Sequence, residues 1–67
     1  MSKNGGINVD KLKEYRVKLG LSQNALDKLA KVGGRTVRNA ELGKGITVSS
    51  LRKIAGALGI PAAIFLD

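Results

Sequence analysis

Arg35, Arg38 and Asn39 lie close together in one short segment. Their planar side chains can form paired hydrogen bonds with the edges of nucleobases. A guanidinium grips guanine through two bonds and a carboxamide grips adenine, each good pair discriminating by about 1–3 kcal/mol. If Val37 and Ala40, three apart, turn inward on a helix, then Arg35, Arg38, Asn39 and Leu42 face outward. Upstream, Gln23 follows Ser22, a good cap residue, at an apparent helix start. A helix start offers free N–H groups and a partial positive charge, which suit a phosphate. The plainer alternative for each of these residues is a solvated polar side chain.

Helices must position these groups, and their starts and stops are marked. Asn8, Ser22 and Thr47 are each preceded by an apolar residue, Ile7, Leu21 and Ile46. Leu12, Leu26 and Leu51 stand four positions past each cap, completing a hydrophobic staple. Gly20, Gly43 and Gly59 follow Leu19, Leu42 and Leu58, where a left-handed glycine closes the last turn. The marks predict helices at about Val9–Leu19, Gln23–Ala30, Gly34–Leu42 and Val48–Leu58. Pro61 opens a short fifth helix through Leu66. The apolar spacing is helical: Val9, Leu12, Tyr15 and Leu19 share one face, as do Leu26, Leu29 and Ala30, and then Leu51, Ile54, Ala55 and Leu58. The expected fold is all-α, a compact bundle of four to five short helices around a central helix-turn-helix. Residues 1–6 read as a flexible polar arm and residues 7–67 as the domain.

The totals narrow the partners. The 67-residue chain is one small domain without Cys or His, so disulfide staples and the usual zinc spacings are excluded. With one Tyr, one Phe and no Trp, its core must be aliphatic. Twelve Lys and Arg against five Asp and Glu give a formal charge of +7, and the pI is about 10.3. That balance fits a well-solvated surface, and more sharply a polyanion partner. No apolar run is long enough to span a bilayer and no signal peptide opens the chain, so a cytoplasmic location without membrane association is expected. Scattered acids and the lack of His and Cys argue against an enzyme, and neither a cofactor nor a small-molecule ligand is indicated.

From Leu12 to Leu66 the chain resembles the phage-repressor-type helix-turn-helix domains, the Cro/C1 class of DNA-binding proteins. LKEYRVKLGLSQ is similar to that family's opening helix and its entry into the second. RTVRNAELGK is similar to the recognition helix and its Glu-x-Gly close, and TVSSLRKIAGALGIP to the supporting fourth helix. The order and spacing of these pieces carry the resemblance. It implies a lambda-repressor-like fold and a transcriptional regulator of double-stranded DNA. The second helix would dock on phosphate through Gln23 and the third would lie in the major groove. The implied DNA-binding set is Gln23, Gly33, Gly34, Arg35, Thr36, Arg38, Asn39 and Lys44. The resemblance also implies that Arg16 and Glu41 pair between the first and third helices.

Three positions depart from the family pattern. Asp27 stands where a small residue is usual, so its carboxylate should escape to solvent or pair with Arg35 or Arg38. Lys31 replaces a turn glycine, which would cost about 1–2 kcal/mol in a left-handed backbone. Gly33-Gly34 replaces a capping Ser or Thr and a polar residue. The glycines imply either close approach of the backbone to DNA or a weakly held third helix that reads little sequence, and the second is favoured. This motivates an alternative: a protein-interaction module, antitoxin-like or regulatory, that keeps the scaffold without selective DNA reading. The apolar tail is expected to close the core with Ile60, Ile64 and Leu66. Its other role would be a homodimer surface through Ile64 and Phe65, with Phe65 as the exposed anchor.

Overall fold

The computed structural model describes residues 8–66; the expected arm at 1–6 lies outside them. Four α-helices follow in order, α1 Val9–Lys18, α2 Gln23–Ala30, α3 Thr36–Glu41 and α4 Val48–Leu58, then a 3-10 turn at Ala62–Phe65. No strand occurs among the described residues, and the all-α expectation holds. Asn8, Ser22 and Thr47 cap α1, α2 and α4, accepting from the amides of Lys11, Ala25 and Ser50. Each cap satisfies one of the orphan N–H groups of a helix start.

The α2 helix packs against α3 and α4, while α1 lies across α3 and the tail. Leu12, Leu26, Val37, Leu51, Ile54 and Phe65 form the buried centre of one apolar cluster. Asn8 donates its backbone N–H to the Phe65 carbonyl at 2.6 Å, which ties the tail to the start of α1. Phe65 meets the Tyr15 ring edge-on, with centroids 6.0 Å apart.

Some expectations about faces need correction. Phe65 is fully buried, so it is a core residue and no exposed dimer anchor. Its ring joins the core cluster and packs edge-on against Tyr15, which leaves it no face for a second copy. Leu66 was expected inside and is exposed, while Ile60 and Ile64 are half-buried against the core. Leu19 and Leu29 are also exposed: α1 ends before Leu19, and α2 turns its Leu26, Asp27 and Ala30 side inward.

Candidate nucleic-acid interface

Two buried polar systems set the geometry of α2 and α3. The first joins three helices. Arg16 donates from Nε to Glu41 Oε2 at 2.6 Å and from Nη2 to Oε1 at 3.1 Å, while Nη1 donates to the Leu21 carbonyl at 2.7 Å. The two side chains keep only 11% and 7% of their exposure. This is the pair the resemblance implied, in the forked geometry that makes Arg–carboxylate contacts strong. Gln23 joins it, donating from Nε2 to Glu41 Oε1 at 3.0 Å. Its carboxamide is thus half-buried and held by α3, a bond the sequence reading missed.

The second system is Asp27. Its carboxylate neither escapes to solvent nor pairs with a guanidinium, contrary to expectation. It is 3% exposed and accepts from the backbone N–H of Arg35 at 3.0 Å and of Val37 at 2.9 Å. These are amides at the start of α3, where no side chain of the turn supplies a cap. A carboxylate there is favoured both by the hydrogen bonds and by the positive end of the helix. The expectation of a weakly held third helix is corrected accordingly: α2 reaches across and holds it.

The α3 helix also begins later than expected. Gly33 and Gly34 lie in the turn, and Arg35 occupies the cap position with φ 72°. A left-handed residue interrupts the helical path, so the regular backbone starts at Thr36. Thr36 is half-buried and donates its N–H to the Gly33 carbonyl at 3.2 Å. Arg35, Arg38 and Leu42 are exposed as expected, and Asn39 is half-buried beside them. Lys44 is exposed just past the helix, its backbone N–H closing onto the Asn39 carbonyl at 3.0 Å. Gly33 and Gly34 are both exposed.

The signs of charge are segregated. Between Gln23 and Lys44 the cations Lys28, Lys31, Arg35, Arg38 and Lys44 are all exposed. The two acids of that stretch, Asp27 and Glu41, are turned inward. The stretch therefore presents cations and no carboxylate to solvent.

A family model described as helix-turn-helix, of the Cro/C1 type, matches residues 12–65. The chain belongs to that family. A search of curated proteins returned no match. The helix-turn-helix domain is that of a DNA-binding regulator. Within it α2, the turn at 31–35 and α3 make up the motif proper. Among the described residues no helix is long and apolar enough to cross a membrane.

Proposed function

We propose that the motif docks on double-stranded DNA as a phage-repressor-type regulator, with the start of α2 on a phosphate and α3 in the major groove. The observation that carries this reading is the segregation of charge, since Gln23–Lys44 exposes five cations and no carboxylate to a polyanion. The Gln23–Glu41 bond supports the part given to Gln23. Glu41 occupies one donor of its carboxamide, which fixes the group at the α2 start and leaves its second N–H for a phosphate oxygen. Arg38 and Asn39 supply the base-reading groups, Arg35, Thr36 and the glycines line the approach, and Lys44 lies by the backbone.

Titration of a labelled operator-length duplex followed by anisotropy tests this. Log K should fall with log salt at a slope of about −0.9 for each phosphate neutralised. Absence of duplex binding even at low salt would overturn the reading. Arg38→Ala should weaken binding by about 1–3 kcal/mol and flatten the preference at one base pair. An equal loss on every sequence would instead make Arg38 a phosphate contact.

The interaction-module alternative drew on Asp27 and the glycine pair. Asp27 now has a structural role as the cap of α3, and the glycines alone favour neither partner. A second copy on a palindrome would extend the small contact area of one module. With Phe65 buried, the large apolar tail residue open to such a copy is Leu66, with Ile64 half-buried beside it. Sedimentation of Leu66→Lys beside the parent tests this, an unchanged monomer–dimer balance sinking the tail interface.

A further inference from the structure

All four α-helices close in one way. Just past each helix one amide folds back three residues and the next folds back five. Leu21 and Gly20 donate to Arg16 and Val17, Lys44 and Gly43 to Asn39 and Ala40, and Ile60 and Gly59 to Ala55 and Gly56. In α2 the donors are Val32 and Lys31, and the acceptors Asp27 and Lys28. This closure takes a left-handed residue. Three helices use Gly20, Gly43 and Gly59 at φ 71°, 78° and 75°, and α2 uses Lys31 at 58°.

Arg35 is left-handed as well, at φ 72°, and with Lys31 it completes the set of non-glycine residues at positive φ among the described residues. Between them stand Gly33 and Gly34, whose φ is not positive. A Cβ at Gly34 would meet nothing within 4 Å, and one at Gly33 only Thr36 Oγ1 at an ordinary 3.6 Å. The turn thus carries cations where its backbone favours glycine and glycines where its backbone has no need of them. Both exchanges work against stability. Packing does not account for them: Lys31 and Arg35 are exposed, and neither side chain makes a hydrogen bond or ion pair among the described residues. The closure of α2 calls for a left-handed backbone at Lys31 but not for a side chain there, and strain of this kind gathers where a partner is met.

We infer that the turn Lys31–Arg35 is a close-contact segment of the DNA interface. Lys31 and Arg35 each neutralise a backbone phosphate, and the bare main chain of Gly33-Gly34 lets the duplex come nearer than any side chain would allow. This rests on the docking of the motif proposed above, and it adds Lys31 to the contact set. The choice of duplex over an acidic protein follows from the exposed cations that continue on both sides, Lys28 before the turn and Arg38 after it.

The test measures stability and binding on the same variants. Lys31→Gly relieves strain, so its melting temperature should rise by about 4 °C or more. Its duplex affinity should nonetheless fall, with the salt slope shallower by about 0.9. Arg35→Gly should behave alike, because the Arg35 amide held by Asp27 is kept. Gly34→Leu should melt no lower than the parent and bind the duplex at least tenfold more weakly. If the parent binds no duplex at low salt, the docking reading falls and this assignment with it. If the parent binds, and Lys31→Gly keeps its salt slope while Gly34→Leu keeps its affinity, the turn assignment alone is overturned. Binding of polyglutamate that is equally sensitive to these variants would also overturn it, in favour of an acidic protein.

Discussion

Glu41→Ala is expected to lose about 3–5 kcal/mol of stability, the usual loss when one partner of a buried ion pair is removed. The Arg16 guanidinium would keep only the Leu21 carbonyl, and Gln23 would lose its acceptor as well. Folded domains hold about 5–15 kcal/mol in total, and a chain of this size buries too little surface to stand high in that range. The variant should therefore be largely unfolded near 37 °C, as circular dichroism against temperature would show. Glu41→Gln keeps the shape and one acceptor oxygen but not the charge, and should fall between. The double variant Arg16→Met, Glu41→Leu should recover much of the loss, since apolar replacement of both partners of a buried pair is often near neutral. A Glu41→Ala protein that melts within a degree or two of the parent would show that the pair does not hold α1 to α3.

Helix starts, stops and inward faces could be read from the sequence wherever one residue type answers one local need. Ser22 and Thr47 cap because their hydroxyls reach an amide three residues on, and Gly43 closes α3 because it alone tolerates the backbone there at little cost. The Arg16–Glu41 pair followed from resemblance, since nothing local links residues that far apart. What misled was the treatment of Asp27 and Gly33-Gly34 as separate anomalies. Each looks destabilising alone: a buried carboxylate without a cation, and a helix start without a cap. Together they compensate, because the carboxylate supplies the acceptor that the glycines lack. Local rules compare a residue with its neighbours in sequence, whereas this cap crosses from one helix to the next. A buried acid and a missing cap within ten residues, on either side of a tight turn, are the signal that could have joined them. Phe65 was misplaced for a related reason: an apolar tail looks alike whether it caps a core or meets a second copy. Its burial depends on the space beside Tyr15.

The compensation can be tested by undoing it. Asp27→Ala should destabilise the domain by about 2–4 kcal/mol, because the Val37 amide is left buried without a partner. The Arg35 amide lies nearer the surface, where water can replace the carboxylate at smaller loss. Asp27→Asn should recover little, since its NH2 would face one of the two N–H groups. Adding Gly33→Ser to Asp27→Ala moves the cap from α2 into the turn. A serine there has room, because the nearest atom to its Cβ is Thr36 Oγ1 at 3.6 Å. Its hydroxyl could then accept from the Thr36 amide, provided α3 extends backward through Gly34 and Arg35. That extension requires Arg35 to leave the left-handed region, so the double variant should regain about 1 kcal/mol of cap energy and show a longer α3 in its amide chemical shifts. It should also carry Arg35 away from its position beside the glycines, so duplex affinity should not recover with stability. A double variant no more stable than Asp27→Ala would mean that the late start of α3 is set by the turn itself, with Asp27 holding an end it does not define.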